Sequence, residues 1–440
     1  MNAKQTETDQ SPPKKRILIL CDFDGTVSTK DTVNRLVQEH VQSPEWRYHV
    51  KRYMRGDIGS KAVYEAVAPI MRMKPGQIKD FVSRNAALDP EFPTFLRWAG
   101  ERNIDVKIVS DGFDLTILTL FADHGIGDLE IFANRLVTDE QGSVRIRSPH
   151  ADPECGWCGT CKLGLVRRYR AEYDSVVLIG DGESDRHAAA EADAVLALGD
   201  LFVYCANKGI PAVRIDGFKD VPHVLTRRIE AVTFDMDGTL VDSLGTITDS
   251  FNHMFVVMGY PTMTVEEVAR KTNISLKDFV LGFLPPKDVE YGIKIFRDYY
   301  DKIYLDKSTV MPGVKETLKA LDGSVLYGIV TNKRGWYARK LAEHLDISKH
   351  MARIIGAEDG FRAKPAPDMF REFMRSVNSD PGRTVYVGDS PIDIEAARNA
   401  GIDAIAISGP VFSSEELALC RPRRVLQGIT ELPSALLPIV

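Results

Sequence analysis

Arg16-Ile-Leu-Ile-Leu-Cys-Asp22-Phe-Asp24-Gly-Thr26 is an apolar run that ends in two alternating aspartates, a glycine and a threonine. The same pattern returns as Glu230-Ala-Val-Thr-Phe-Asp235-Met-Asp237-Gly-Thr239, with Asp235 following Asp22 by 213 residues. Short apolar runs of this kind are typical of buried strands in a parallel sheet. Two such strand-and-turn units in one chain therefore predict a repeated domain.

Further signals repeat in the same order in the two halves of the chain. They are strand-like runs that end in a hydroxyl residue (Asp105–Ser110 and Leu326–Thr331), isolated lysines (Lys162 and Lys364), and strands followed by paired aspartates (Asp181 with Asp185, Asp389 with Asp393). Four elements in a fixed order predict two copies of one catalytic domain, at residues 16–228 and 229–440.

The segments between these strands have apolar residues at helical spacing, as in 31–40, 91–99, 314–321 and 394–400. Strands that alternate with helices predict an α/β fold with two Rossmann-like, mostly parallel sheets. Ligands bind outside the carboxyl ends of such strands, which is where the polar signals lie. Two helical stretches, about 29–89 and 244–308, are too long for simple crossovers and predict an inserted helical cap in each domain.

The composition favours a globular enzyme. The 440 residues carry 56 Lys and Arg against 62 Asp and Glu, a formal charge of −6. A mildly acidic chain predicts no nucleic-acid partner, and no apolar run approaches the ~18 residues of a membrane span. Residues 1–15 are polar, lack the apolar centre of a secretory signal, and predict a disordered tail. Six cysteines are too few for a disulfide scaffold, so we expect a cytoplasmic protein. Its oligomeric state is not predicted.

The paired aspartates predict phosphate chemistry that uses a metal ion. Asp22 and Asp24 alternate on an extended strand and therefore point to the same side. Such close carboxylates repel each other unless a cation or a shared proton intervenes, and Mg²⁺ prefers carboxylate oxygens beside a phosphate. An aspartate can attack phosphorus to form an aspartyl-phosphate, while the second aspartate donates and accepts protons. Asp-Gly-Thr in one copy is also a common turn or helix cap, but two complete sets favour catalysis.

Both halves resemble the haloacid dehalogenase superfamily of phosphohydrolases, over about residues 16–225 and 229–440. The resemblance implies Mg²⁺-dependent phosphatases that act on small phosphorylated metabolites, with one active site in each half. The implied nucleophile and acid/base are Asp22 and Asp24 in the first half, and Asp235 and Asp237 in the second. The implied phosphate-binding residues are Ser110, Lys162, Thr331, Asn332 and Lys364. The implied metal-binding residues are Asp22, Asp181, Asp185, Asp235, Asp389 and Asp393, with the backbone carbonyls of Asp24 and Asp237.

The two halves resemble different branches of this superfamily. The first is similar to the phosphoserine phosphatase-like group, and more to its methionine-salvage member acting on 2-hydroxy-3-keto-5-methylthiopentenyl-1-phosphate, through Met54-Arg55-Gly56-Asp57. The second resembles the phosphoglycolate phosphatase, pyrophosphatase and β-phosphoglucomutase branch, through Met311-Pro-Gly-Val314 and Ala363-Lys-Pro-Ala-Pro-Asp368. Lys271–Ser275 departs from the Gly-rich cap loop of that branch, which leaves the second substrate open. A phosphosugar mutase in the second half, or a non-catalytic binding or scaffold role for one half, are the alternatives.

A cysteine cluster precedes the candidate lysine of the first half. Cys155-Gly-Trp-Cys158-Gly-Thr-Cys161 follows His150, which lies five residues before Cys155. Three thiolates and one imidazole make up the ligand set of a structural zinc site. The hypothesis is therefore a structural Zn²⁺ held by these four residues, and the alternatives are a loop of reduced thiols or a redox control site.

Overall fold

The structure is a computed structural model that describes residues 15–41, 43–271 and 275–439. The predicted tail lies outside the described residues except for residue 15, and so does the middle of the predicted cap loop 271–275. The chain divides into two compact units. One contains the described part of Met1–Leu201 with Asp216–Pro222, and the other contains Phe202–Ile215 with the described part of His223–Val440. The predicted domain limits stay predictions.

Strands and helices alternate along both halves. The strands are β1 (Ile17–Cys21), β2 (Asp105–Phe113), β3 (Glu130–Thr138), β4 (Val144–Arg147), β5 (Ser175–Gly180), β6 (Ala194–Ala197), β7 (Ala212–Arg214), β8 (Ala231–Phe234), β9 (Val241–Asp242), β10 (Thr309–Val310), β11 (Leu326–Arg334), β12 (Met351–Ala357), β13 (Thr384–Gly388), β14 (Asp403–Ile407) and β15 (Arg424–Leu426).

The helices of the first half are α1 (Thr32–His40), α2 (Trp46–Met54), α3 (Ser60–Val67), α4 (Gln77–Asn85), α5 (Phe92–Glu101), α6 (Asp114–Asp123), α7 (Lys162–Arg170), α8 (Arg186–Ala189), α9 (Gly199–Lys208) and α10 (Val221–Thr226). Those of the second half are α11 (Leu244–Met258), α12 (Val265–Ala269), α13 (Leu276–Leu281), α14 (Val289–Lys307), α15 (Val314–Leu321), α16 (Gly335–His344), α17 (Asp368–Val377), α18 (Pro391–Ala400), α19 (Ser414–Leu419) and α20 (Leu432–Leu436). The four predicted helical segments are confirmed as α1, α5, α15 and α18.

The sheet of the first unit contains the order β4-β3-β2-β1-β5-β6. Strand β1 pairs in parallel with β2 on one side and β5 on the other, and Leu18 lies opposite Asp105 and Val176. All five residues of β1 are buried, as expected for a central strand covered on both faces. The carboxyl ends of β1, β2 and β5 therefore meet at one edge.

The second unit repeats this arrangement in a six-stranded sheet of order β12-β11-β8-β13-β14-β15. Strand β8 pairs in parallel with β11 and β13, so Val232 lies opposite Tyr327 and Val385. A separate two-stranded ribbon pairs β9 with β10 in antiparallel fashion. The predicted α/β class with two mostly parallel sheets is confirmed.

The predicted cap segments contain helices α1–α4 and α11–α14. Helix α1 begins at a side-chain cap, since the Asp31 carboxylate accepts a hydrogen bond from the Asn34 N–H at 3.0 Å. Helices α11, α13 and α14 share an aromatic core in which the Phe251 ring lies 4.0 Å from Phe279 and 4.4 Å from Phe296. Closure of these segments over the sites stays a prediction.

None of the helices in the described part of the chain is both long enough and apolar enough to cross a bilayer. The expected cytoplasmic location stays a prediction.

Candidate active sites

The first site lies where β1, β2 and β5 end. The backbone N–H of Asp22 donates to the Ile179 carbonyl at 2.8 Å, which continues the ladder between β1 and β5 by one residue. In the second unit, Asp235 donates to Val387 at the same distance. Each candidate nucleophile is therefore positioned by the sheet itself rather than by a mobile loop.

A glycine turn brings the paired-aspartate motif against the neighbouring strand end. Gly25 has a φ of 77°, and a Cβ there would lie 2.1 Å from Oδ2 of Asp181. Gly238 has a φ of 84°, and its Cβ would lie 2.2 Å from Oδ2 of Asp389. Glycine is required at both turns because any side chain would displace the third carboxylate of the site.

We expect Gly25→Ala to lower the first activity about 100-fold or more, because a shift of about 1 Å in a reacting group costs that much. The matched control is Gly125→Ala. Gly125 also has a positive φ, 66°, but its Cβ would meet nothing within 4 Å. That variant should lose only stability, about 1–2 kcal/mol from the left-handed backbone. Steady-state rates and thermal unfolding of the two variants separate the effects, and equal activities would contradict the clash.

A buried lysine joins two carboxylates in each site. Nζ of Lys162 lies 2.7 Å from Oδ1 of Asp22 and 2.6 Å from Oδ1 of Asp185. In the second unit, Nζ of Lys364 lies 2.9 Å from Asp235 and 2.6 Å from Asp393. Burial opposes the charge of each ammonium, but the two carboxylates prevail and raise the pKa of both lysines. Each site therefore holds a fixed positive charge against its candidate nucleophile.

Asp185 and Asp393 are themselves oriented by short loops. Oδ2 of Asp185 accepts hydrogen bonds from the backbone N–H groups of Asp181 and Gly182, both at 3.2 Å. Oδ2 of Asp393 accepts from the Ser390 N–H at 3.1 Å and from its hydroxyl at 2.6 Å. Both aspartates therefore position the lysine as well as offering an oxygen to the acidic cluster.

The carboxylates at each site form a cluster suited to a hard cation. Among the described residues, the groups of three that could hold a metal are Asp22 with Asp181 and Asp185, and Asp235 with Asp389 and Asp393. Burial and then Asp185 raise the pKa of Asp181 to about 6. Burial and then Asp393 raise the pKa of Asp389 well above its ordinary value. Since the acids disfavour one another's charge, a cation among them would relieve the repulsion, and an all-oxygen donor set fits Mg²⁺.

Asp24 and Asp237 point away from these clusters toward other partners. Oδ1 of Asp24 accepts from the Thr32 N–H at 2.7 Å and from its hydroxyl at 2.5 Å. Burial raises the pKa of Asp24 to about 7, against the lowering effect of these bonds. Asp237 accepts a hydrogen bond from the Ser243 hydroxyl and lies 3.0 Å from Nζ of Lys333. The raised pKa of Asp24 suits proton transfer near neutral pH.

The predicted phosphate-binding residues lie at these strand ends, where Ser110, Thr331 and Asn332 each hydrogen-bond the protein backbone. Ser110 and Thr331 are buried, and their hydroxyls accept from N–H groups two residues later, at 2.9 and 3.2 Å. The Asn332 amide holds the backbone of Lys364 instead, accepting from its N–H at 2.7 Å and donating to its carbonyl at 3.2 Å. Asn332 is thus a positioning residue for the lysine loop.

Three further residues at the sites were not predicted from the sequence. The buried Tyr386 hydroxyl lies 2.8 Å from Nζ of Lys364, and Lys333 donates to the Tyr300 hydroxyl at 2.7 Å. In the first unit, buried Asp111 accepts from the Thr160 N–H at 3.0 Å. Position in the sequence could have identified Asp111 and Lys333, because Asp111 follows Ser110 directly and Lys333 follows Thr331 by two residues. Tyr386 alternates with apolar neighbours inside a strand, where no sequence pattern distinguishes it from a core residue.

The structure does not support the zinc hypothesis. Among the described residues, neither of the two clusters that could hold a metal ion contains His150, Cys155, Cys158 or Cys161. The Cys161 sulfur turns inward to cap α7, where it accepts from the Gly164 N–H at 3.3 Å, whereas Cys155 is exposed. The ring of His150 packs edge-on against Phe132 with centroids 5.0 Å apart. Burial raises the pKa of Cys158 to about 12, which favours the thiol over the thiolate that a metal would bind.

The second site opens into a cavity of about 500 Å³. Its floor includes Asp235, Thr331 and Lys364, and helices α11, α13 and α14 supply much of its wall. Apolar side chains such as Phe251 and Phe296 line the cap side. The cavity has the size of a small-metabolite site.

The two halves match two different family models. Residues 232–407 match the haloacid dehalogenase-like hydrolases, and residues 17–200 match a family described as "Putative Phosphatase". A 2-hydroxy-3-keto-5-methylthiopentenyl-1-phosphate phosphatase of Exiguobacterium sibiricum is 33% identical over 223 residues, covering 49% of this chain and 99% of the relative. A phosphoglycolate phosphatase of Shigella boydii is 30% identical over 234 residues, covering 47% of this chain and 92% of the relative. A solved haloacid dehalogenase-like hydrolase from Streptococcus pneumoniae is 25% identical, with a TM-score of 0.44 over 47% of this chain and 97% of its own.

The Exiguobacterium and Shigella relatives are phosphatases, and the class of the chain follows from them together with the fold: it is a phosphoric monoester hydrolase. The chain belongs to the haloacid dehalogenase-like hydrolases, with one family model matching each half. The predicted superfamily and the predicted tandem arrangement are thereby confirmed.

Proposed function

We propose that the chain is a tandem Mg²⁺-dependent phosphatase with one independent active site in each half. The observation that carries this proposal is the repeated group of nucleophile, lysine and supporting aspartate. Its lysine contacts lie between 2.6 and 2.9 Å in both units. Such close agreement between copies favours two working sites over one active and one scaffold half.

In the proposed mechanism, a carboxylate oxygen of Asp22 attacks phosphorus and forms an aspartyl-phosphate as the ester P–O bond breaks. Asp24 protonates the departing alkoxide, then takes a proton from the water that hydrolyses the intermediate and regenerates Asp22. Lys162 stays ionised throughout and neutralises charge that builds on the phosphoryl oxygens. Asp235, Asp237 and Lys364 have the same roles in the second half.

We propose that Asp22, Asp181 and Asp185 hold Mg²⁺ in the first site, and that Asp235, Asp389 and Asp393 hold it in the second. The backbone carbonyls of Asp24 and Asp237 complete these sets. When bound, the ion supplies positive charge that lets an anionic phosphate approach anionic carboxylates.

The proposed substrates are small phosphorylated metabolites, since the relatives are named for such compounds. The first half, through its Met54–Asp57 likeness, is proposed to act on 2-hydroxy-3-keto-5-methylthiopentenyl-1-phosphate or a close analogue. The second half is proposed to act on small phosphate monoesters of the phosphoglycolate type.

The test is a screen of phosphorylated metabolites with the full chain and with variants carrying one neutralised nucleophile, Asp22→Asn or Asp235→Asn. We expect phosphate release from distinct substrates by the two variants. Transfer of the phosphoryl group to a sugar hydroxyl, without release, would instead indicate a mutase. Failure to release phosphate from any monoester would contradict the proposal.

We expect Thr32→Val to shift the pH profile of the first activity. The Thr32 hydroxyl stabilises the ionised form of Asp24, so its removal raises the pKa of that group further. Because Asp24 must be protonated to donate to the leaving group, the alkaline limb of kcat should move upward by about one pH unit, the size of a lost hydrogen bond to a charge. The second activity is the internal control, and an unmoved or downward-shifted limb would contradict the role of Asp24.

A further inference from the structure

A pair of arginines lines the cavity of the second unit away from the reacting carboxylates. Arg297 lies on the cap helix α14, and Arg334 ends strand β11 of the core. Glu358 lies between them: one of its carboxylate oxygens is 3.3 Å from Nη2 of Arg297 and the other is 2.6 Å from Nη2 of Arg334. One carboxylate therefore bridges cap and core through two guanidinium groups.

This bridge provides one carboxylate for two guanidinium groups. The three lysines that line the cavity each face their own carboxylate: Lys277 with Glu290 at 3.7 Å, Lys333 with Asp237 at 3.0 Å, and Lys364 with Asp235 at 2.9 Å. The two arginines share a single carboxylate. Among the described residues, Nε of Arg297 and Nε of Arg334 are also buried without a hydrogen-bond partner. Glu358 thus contacts one Nη2 donor of each arginine and leaves both Nε donors without a partner.

The bridging glutamate is held in a strained conformation. Glu358 has a φ of 69°, which is rare for a residue with a side chain. Its side chain is 56% exposed, so water can readily replace the contacts it makes. A ligand oxygen can therefore replace this exposed carboxylate on the two guanidinium groups.

We propose that Arg297 and Arg334 form a subsite for a second anionic group on the substrate of the second half, and that Glu358 occupies this subsite until substrate displaces it. This inference rests on the proposed phosphatase function and specifies its substrate class: a phosphate monoester that also carries a carboxylate or a second phosphate. Guanidinium groups recognise both anions by paired hydrogen bonds. The cap arginine and the core arginine would close on the same group.

The test uses the full chain with Asp22→Asn, so that turnover belongs to the second site. Three two-carbon esters differ only in their second group: 2-phosphoglycolate has a carboxylate, ethylene glycol bisphosphate has a phosphate, and 2-hydroxyethyl phosphate has a neutral hydroxyl. We expect kcat/KM to be at least about 10-fold higher for one or both charged esters, the size of a charge-assisted hydrogen bond. The preferred ester identifies which anion the subsite takes.

Arg297→Gln and Arg334→Gln should each lower this preference about 10- to 100-fold, mainly by raising KM for the charged ester. Their KM for the neutral ester should stay within a factor of about three. Arg334→Lys retains the positive charge but lacks the planar guanidinium that makes paired hydrogen bonds. It should therefore keep part of the preference for the charged ester. Glu358→Gln should lower KM for the charged ester, since it weakens the competing carboxylate.

The matched control is Arg339→Gln. Arg339 pairs with Asp359 at 2.8 Å, one residue beyond Glu358, but does not line the cavity. It should leave the preference unchanged. The subsite proposal would be overturned if Arg334→Gln lost the same factor in kcat/KM on charged and neutral esters, or if the parent had no preference for a charged ester. Either result would leave the phosphatase proposal intact.

Absence of turnover on these esters and on p-nitrophenyl phosphate would count against the phosphatase proposal itself. The subsite is then decided by calorimetric titration of the same three esters. Tighter binding of a charged ester, lost in Arg334→Gln, supports the subsite, and binding independent of the second group overturns it.

Discussion

The Asp22→Asn variant should lose the first activity by roughly 10³-fold or more while the second is retained, because removal of a covalent nucleophile leaves only binding and electrostatic contributions. Asp235→Asn should do the reverse. The amide keeps the size of the carboxylate, and in both units the backbone N–H that positions the residue is untouched. Phosphate release from each half's own substrate measures the two losses separately.

Two controls make this result specific. Asp114→Asn replaces a carboxylate at the start of α6, outside the acidic cluster of the first unit, and should leave both rates near those of the parent. The double variant Asp22→Asn with Asp235→Asn should have neither activity. If Asp22→Asn alone removed turnover of every substrate, the second half would depend on the first, and the proposal of independent sites would be wrong.

Removal of the metal is the second large effect that we expect. Chelation by EDTA should abolish both activities, since the buried carboxylates at each site would repel an anionic phosphate without a cation. Added Mg²⁺ should restore turnover. Ca²⁺ should not, because its larger and looser coordination does not hold the reacting groups in line.

A binding measurement separates this prediction from a structural effect of chelation. Titration of Mg²⁺ into chelated protein should show two sites. Asp181→Asn should weaken one of them, and Asp389→Asn the other. Zn²⁺ should not be retained, because the described cysteines and His150 do not gather into a cluster. Full activity in chelator would contradict the metal assignment for both halves.

Much of each site was predictable because it depends on residues close together in the chain. The apolar run before Asp22 forms a buried central strand, and the alternation of Asp22 with Asp24 follows from strand geometry. The turn needs Gly25 because the third carboxylate, Asp181, lies against it. The repeat of this pattern at Asp235 predicted the second unit for the same local reasons.

Contacts that the sequence pattern does not specify account for the rest. The amide of Asn332, which is predicted to bind phosphate, also hydrogen-bonds the backbone of Lys364, 32 residues later. The Cys161 sulfur was predicted as a zinc ligand, but it caps the helix that begins at the next residue. In both cases the residue type allowed the observed contact, and the neighbours supplied by folding determined it.

The two parallel sheets, the aspartates at their strand ends and the lysines beside them were predictable from the sequence, because strand periodicity and turn chemistry act over a few residues. The surroundings of these residues followed only from the folded structure. Tyr386 beside Lys364, Lys333 on Asp237, and Glu358 between two arginines come from separate elements. Their pairing depends on how helices and strands pack. The local sequence around a side chain does not indicate which residue of a distant element will contact it.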